Sequence, residues 1–509
     1  MKNPIVTAIF DYVVEISGNY EYQQNQIFCL KNSKQDIKMM LISSTTDRAF
    51  CLASAGVNDL LIGSEVVAIH ESEKVKTPKD IFGKIININN DVLYPINEKF
   101  TQGYYKHENN IFNNDNKLLD YEPLEQQLYT GYINIDLLIP IGRGQRELII
   151  GDRRTGKTHI ALNTIINQKG KGIKCIYVAV GQQQSQVTAA YKLLKENGAM
   201  DYTVIIDASS SNPYEQYLAP YIGMAHAENI CPEEDVLIVF DNLTNHANIV
   251  REIALLTNKP VGKEAFPGDM FYAHSRLLER SGKFKNKYSI TALPIIQTIE
   301  NDITSLVASN VISITDGQIV TNSELFAAGK IPAVDIDLSV SRIGGNVQKA
   351  HIARVASEVG KLYKSYKRQI KLSSLKYDLN DDISQLISNG ILAERMFIQK
   401  GVSSYSENAM FMTSKLVTWG FLSEIKDLPL VLKFVDKFIE KNKQANELFN
   451  NLLSNKQNND EIAKNFFKYS LDQFSKANKL DWKLNSNDKF LPLDQNKLVE
   501  IYNEITGVK

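Results

Sequence analysis

Glu147-Leu-Ile-Ile150 runs into Gly151-Asp-Arg-Arg-Thr-Gly-Lys-Thr158 and then into Ile160-Ala-Leu-Asn-Thr-Ile-Ile166. The middle stretch fits the pattern G-x-x-x-x-G-K-[ST], and its flanks read as a short buried strand and an apolar-faced helix. Gly151 and Gly156 let the backbone wrap, so that N–H groups along Asp152, Arg153, Arg154 and Thr155 can point at phosphate oxygens. Lys157 adds a mobile positive charge, and Thr158 offers a hydroxyl to Mg2+. A helix starting at this loop adds its dipole to the same anion site. The strand-loop-helix context predicts a site for a nucleoside triphosphate.

Outward from this stretch, strand-like and helix-like runs alternate from about residue 130 to 340. The strand-like runs are Leu148-Ile-Ile, Lys174-Cys-Ile-Tyr-Val-Ala-Val, Tyr202-Thr-Val-Ile-Ile, Asp235-Val-Leu-Ile-Val-Phe, Ser289-Ile-Thr-Ala-Leu and Asn310-Val-Ile-Ser-Ile. Alternation of this kind predicts a mostly parallel sheet covered by helices, with ligands beyond the carboxyl ends of its strands. Asp241 ends one such run and stands where a phosphate-loop enzyme places its Mg2+ partner, acting through water; a strand-ending Asp is also an ordinary turn or cap residue.

Residues 1–75 carry short β-rich runs at Ile5, Tyr12, Met39, Ala49 and Glu65, which predict a small barrel. The stretch Asn97 to Asp120 is polar and reads as an irregular connector. After about 350 the period becomes helical: apolar residues recur at 431, 434, 435 and 438, one face of an amphipathic helix. The expected organisation is therefore multidomain, with an N-terminal β-barrel (1–75), a RecA-like α/β nucleotide-binding domain with a mostly parallel sheet (76–348) and a C-terminal helical bundle (349–509).

The 509 residues suffice for about three domains at about 150 residues each. With 57 Lys+Arg against 58 Asp+Glu, no global field marks a nucleic-acid binder. Cys29, Cys51, Cys175 and Cys231 form no C-x-x-C pair, which speaks against a zinc site or a disulfide framework. No apolar run approaches the roughly 18 residues needed to span a bilayer, and no signal-cleavage pattern follows the N-terminus. A cytoplasmic protein is expected, reaching a membrane only through partners.

Hydrolysis also needs a group that deprotonates water. The run ending at Val180 is followed by Gly181-Gln182-Gln183-Gln184, and an amide can hold a water but cannot take its proton near neutral pH. Either the chain lacks a base or the base lies elsewhere, Glu215 and Glu264 being alternatives. Arg342, in Leu338-Ser-Val-Ser-Arg-Ile-Gly-Gly345, is either a solvated surface residue or an arginine finger reaching a neighbour's γ-phosphate.

Together these segments resemble the α subunit of F-type ATP synthase. The collinear stretches are Pro140-Ile-Gly-Arg-Gly-Gln-Arg-Glu-Leu-Ile-Ile-Gly-Asp152, Gln216-Tyr-Leu-Ala-Pro-Tyr221, Phe266-Pro-Gly-Asp-Met-Phe-Tyr272, His274-Ser-Arg-Leu-Leu-Glu-Arg280, Asn310-Val-Ile-Ser-Ile-Thr-Asp-Gly-Gln318 and Ser339-Val-Ser-Arg-Ile-Gly344. The likeness is strong from about 130 to 350, moderate over the helices, where Gly420-Phe-Leu-Ser-Glu-Ile looks like a family segment, and weak over the barrel. Gln182 falls where α subunits carry Gln and β subunits the catalytic Glu. The resemblance implies a subunit that holds ATP or ADP with Mg2+ without turnover, in a hetero-hexameric ring with a catalytic β-type subunit and a γ-type shaft. Arg342 would complete the neighbour's catalytic site, with Ser313 lining that interface.

Departures from the family are Arg154 for the usual Gln, Asn242 for a second Asp after Asp241, and a barrel beginning where a stalk-docking N-terminal helix is expected. They leave open coupling to ATP synthesis and proton transport or, as a paralogous motor, to mechanical work such as gliding motility. A Rho-like RNA helicase and a secretion-type export ATPase are the competing classes.

Overall fold

The computed structural model describes residues 3–31, 37–54, 60–69, 74–113, 120–208, 212–373, 381–422, 425, 427–454, 459–482, 484, 486 and 490–506. Part of the connector (114–119) and Ser423 and Glu424 of the family-like segment lie outside the described residues. The chain forms two compact units. The first comprises Met1–Thr130, Ile141–Gly329 and Ala333–Val347, and the second Gly131–Pro140, Lys330–Pro332 and Gln348–Lys509.

In the first unit, β1 (Ile5–Phe10), β2 (Val13–Ser17), β3 (Ile27–Leu30), β4 (Lys38–Ser44), β5 (Arg48–Ala53) and β6 (Val66–Ile69) form an antiparallel sheet ordered β1-β2-β5-β4-β3-β6. Ile5 bridges Glu65, and Val66 N donates to Pro4 O at 2.9 Å, so the last strand meets the first and the barrel closes. Closure leaves no long row of unpaired backbone groups at an edge. Period-2 alternation sorts the side chains: Val14, Met39, Leu41 and Cys51 fill the barrel, while their neighbours Val13, Met40 and Leu52 join the core of the α/β region. The run at 27–30 escapes a sequence reading because four residues carry too little alternation.

The α/β region holds β7 (Ile85–Ile86), β8 (Glu147–Asp152), β9 (Ile173–Val180), β10 (Thr203–Ala208), β11 (Asp235–Asp241), β12 (Ser289–Thr298) and β13 (Gly317–Thr321), ordered β13-β8-β12-β11-β9-β10-β7, all parallel. Near-continuous burial along β8, β9 and β11 is what a parallel sheet covered on both faces demands. Its helices include α1 (Lys157–Ile166), α2 (Gln184–Glu196), α3 (Pro213–Ile230), α4 (Leu243–Leu256), α5 (Met270–Leu278) and α6 (Leu306–Ile314).

One expected strand is corrected. Asn310-Val-Ile-Ser-Ile belongs to helix α6, whose buried positions Val307, Ala308, Asn310 and Val311 recur at helical spacing. A five-residue apolar run does not distinguish strand from helix by itself, and the strand follows at Gly317–Thr321. The polar connector also carries more core than its composition implies: Tyr105 is buried, and Phe112 packs on Tyr221 with centroids 4.9 Å apart.

The second unit is helical: α7 (Ala350–Ser373), α8 (Asp381–Phe397), α9 (Glu407–Trp419), α10 (Leu428–Lys441), α11 (Lys443–Leu453), α12 (Asn459–Ala477) and α13 (Gln495–Thr506), with the short helix Ile133–Leu138. Within it Gln399 Oε1 accepts Ile133 N at 2.6 Å and Tyr405 donates to the Asp136 carboxylate. Helix α10 buries Val431, Phe434, Val435 and Phe438, the face expected from their spacing. Phe434 stacks on Phe474 of α12 with centroids 4.0 Å apart.

Phe434→Ala should therefore destabilise this unit by about 3–5 kcal/mol. Both tryptophans, Trp419 and Trp482, lie in it, so a lowered denaturation midpoint in tryptophan fluorescence is the check. An unchanged midpoint would refute the packing argument.

Candidate functional site

The loop after β8 is shaped by what cannot fit beside it. Gly151 has φ +151°, and a Cβ there would lie 2.1 Å from Thr321 Oγ1 and 2.3 Å from Thr321 O. Thr155 Oγ1 meets the same Thr321 hydroxyl at 2.7 Å, fastening the loop to β13. Gly156 (φ +91°) is the N-cap of α1 and supplies no side-chain cap. The first N–H groups of α1 are thus left for an anion to satisfy. Arg154 holds a left-handed φ of 65°, and Arg153 and Arg154 are both exposed. Asp152 faces away from this role: its carboxylate accepts Thr298 Oγ1 at 2.7 Å and Asn301 N at 2.8 Å.

Lys157 is buried and donates to Asp152 O at 2.5 Å. Burial pushes its ammonium down to about 8, while the Asp241 and Asp152 carboxylates pull the other way. Desolvation is opposed here by charges the loop itself provides. Thr158 Oγ1 donates to Asp241 Oδ2 at 2.6 Å, and Tyr177 Oη to the same oxygen at 2.8 Å. Gln182 Nε2 donates to Asp241 Oδ1 at 2.9 Å. Burial raises the Asp241 carboxyl above its usual range, against the lowering effect of these donors and of Lys157.

The fold thus gathers Gly151 to Thr158, Gln182 and Asp241 around one loop, and Asp241 is more than a turn residue. Asn242 next to it accepts Asn245 N at 2.9 Å and caps α4, a role Asn fills as well as Asp. Thr158 and Asp241, a hydroxyl beside a carboxylate, are the residues that would hold a Mg2+ accompanying a polyphosphate. Among the described residues no group of three or more His, Cys, Asp or Glu could hold a metal independently.

Ser313 and Arg342 are not brought to this loop. Gly317 pairs with Glu147 on one side and Ser341 on the other, which sets Arg342 at the start of β8 while the phosphate loop leaves its end. Five residues of strand separate the two, about 16 Å. Arg342 is exposed and donates to Ile312 O at 3.4 Å, and Ser313 is exposed with its hydroxyl donating to Asn310 O at 2.6 Å.

Neither alternative base hydrogen-bonds to the phosphate loop among the described residues. Glu264 accepts Leu306 N at 3.1 Å and caps α6. Glu215 sits in the first turn of α3 beside Asp207 of β10, and burial and that charge raise its carboxyl. The adjacent Gln216 closes on Gly181, where a Cβ would lie 2.7 Å from its Oε1, so this turn borders the stretch that bears Gln182. Sequence reasoning missed Tyr177 and Thr321; a hydroxyl tip inside an apolar strand run was the available signal for Tyr177.

Residues 131–341 match the model of the ATP synthase alpha/beta family, nucleotide-binding domain. ATP synthase subunit alpha 2 of Mycoplasmopsis pulmonis is 46% identical over 437 residues, covering 85% of both chains. Subunit alpha 1 of the same organism is 42% identical over 369 residues, 70% of this chain and 69% of that one. The sodium ion specific alpha subunit of Acetobacterium woodii is 37% identical over 428 residues, 83% of this chain and 84% of its own.

A lysine titrating at about 8 should regain its proton when polyphosphate binds, because the anion raises its pKa. Titration of nucleotide near pH 8 in buffers of different ionisation heat should show uptake of about half a proton per site. Lys157→Arg, charged throughout, should abolish that uptake. Buffer-independent heats in the unmodified chain would contradict the assignment.

Proposed function

Because the chain belongs to the ATP synthase alpha/beta family, and its relatives over most of its length are alpha subunits, we propose that it is a non-catalytic, regulatory nucleotide-binding subunit of an F-type or F-like rotary ATPase. It binds ATP or ADP with Mg2+ through Gly151 to Thr158 and Asp241. The observation that carries the non-catalytic reading is Gln182: an amide donating to Asp241 follows β9, where hydrolysis needs a base. Lacking that base costs on the order of 10² to 10⁴ in rate.

Arg342 serves a neighbour. Its exposure and its distance along β8 from its own loop support a role in trans, with Ser313 on the same edge. The neighbour is a homologous catalytic β-type subunit in an alternating ring around a γ-type shaft. An arginine finger of this kind contributes roughly 10³-fold or more in rate. The Rho-like and export-ATPase readings draw no support from the relatives named above. Among the described residues no helix is long and apolar enough to cross a membrane. On this reading partner subunits attach the chain to the cytoplasmic face of the membrane. The work done, whether ATP synthesis, ion transport or movement such as gliding, is set by those partners.

The isolated chain should bind Mg-ATP and hydrolyse it on the order of 10² to 10⁴ more slowly than its native complex. In the complex, Arg342→Ala should leave binding to this chain intact and lower turnover roughly 10³-fold. Full turnover by the variant would remove the trans arginine, and brisk hydrolysis by the isolated chain would overturn the non-catalytic assignment.

A further inference from the structure

Glu147 is a buried acid that the nucleotide site does not use. It opens β8, four residues before Gly151, and is fully buried. Its Oε2 accepts Gln145 Nε2 at 2.6 Å, and its Oε1 has no hydrogen-bond partner among the described residues. Gly317, its neighbour on β13, makes this placement possible: a Cβ there would lie 2.3 Å from Glu147 Oε2 and 2.4 Å from Val340 O. The carboxyl therefore lies over Gly317, on the side of Ser341, which pairs with Gly317 from beyond.

The same Gln145 amide lies 3.4 Å from Ser341 Oγ, and Ser341 Oγ accepts Gly344 N at 3.2 Å. Gln145 Oε1 accepts Gly142 N at 2.7 Å, which fixes the amide's orientation. A continuous polar path thus runs from Glu147 through Gln145 to the turn Ser341–Gly344 that carries Arg342. On the other side of the arginine, Arg342 N donates to Asp316 O at 2.9 Å, and the Asp316 carboxylate is gripped by Arg146 at 2.7 and 3.0 Å. Among the described residues the Arg342 side chain makes one long hydrogen bond, to Ile312 O, and the turn beneath it carries the rest of its positioning.

We propose that Glu147 is a positioning residue for Arg342, acting through Gln145 and Ser341 to hold the turn that aims the guanidinium out of the subunit. The proposal rests on the trans role of Arg342. A buried carboxyl oxygen without a partner costs stability, and here that cost falls on a group whose other oxygen leads to a functional side chain. Burial holds this carboxyl well above the usual range, with Asp316 pushing the same way and the Gln145 hydrogen bond and Arg342 opposing. A glutamine at this position keeps a side-chain oxygen to accept the Gln145 amide.

The test is hydrolysis by the full complex carrying variants of this chain. Glu147→Ala should lower kcat about tenfold with KM and nucleotide affinity of the chain's own site unchanged, and Glu147→Gln should restore kcat. Ser341→Ala, which spares the buried carboxyl, should reproduce part of the loss. Neither alanine should lower turnover further when combined with Arg342→Ala. If Arg342→Ala cuts turnover while Glu147→Ala does not, or if the losses multiply, the positioning role is wrong and the finger stands. If Arg342→Ala is itself without effect, the reading beneath the proposal fails.

Discussion

Strand β8 lies in parallel register between β12 and β13, and this pairing constrains everything functional in the first unit. Parallel pairing fixes the direction of β8, so its last residue must deliver the chain into the phosphate loop while its first faces the opposite edge of the sheet. At the loop end, Thr321 of β13 comes so close that only glycine is accommodated at 151. At the opposite end, Glu147 lies so close over β13 that only glycine is accommodated at 317. One strand therefore holds an inward anion site and an outward arginine at fixed separation.

The electrostatics of the loop follow from burial more than from net charge. Lys157 and Asp241 are both withdrawn from water, and each is driven toward its neutral form. Three hydrogen-bond donors on Asp241 and the opposed charges within the loop resist that drift. On the proposed reading, a polyphosphate with Mg2+ would complete the balance, anion for the lysine and cation for the carboxylate. Gln182 belongs to the same network as a donor to Asp241.

Much of this was legible in the chain. Gly151, Gly156, Lys157 and Thr158 announce the loop through spacing alone, and the helical stripe at 431, 434, 435 and 438 packs as its period requires. Barrel strands could be located because alternation survives in runs of five or more residues. The run at 310–314 could not be assigned, since a short apolar segment satisfies both periods until its neighbours decide. Glu264 and Glu215 are open as bases in the sequence; in the fold the first caps α6 and the second stands beside Asp207.

What the sequence determined by itself is chemistry carried by contiguous residues: an anion-binding loop, an amide where a base is needed, the alternation of strands with helices, and the family likeness. What only the tertiary structure decided is which distant residues share a site. Tyr177 and Thr158 converge on Asp241, Thr321 packs against Gly151, and Gln145 links Glu147 to Ser341 of the turn bearing Arg342. The reason is that register between strands far apart in the chain, and the close approach that glycine permits, are properties of the folded sheet. No local pattern of residues encodes them.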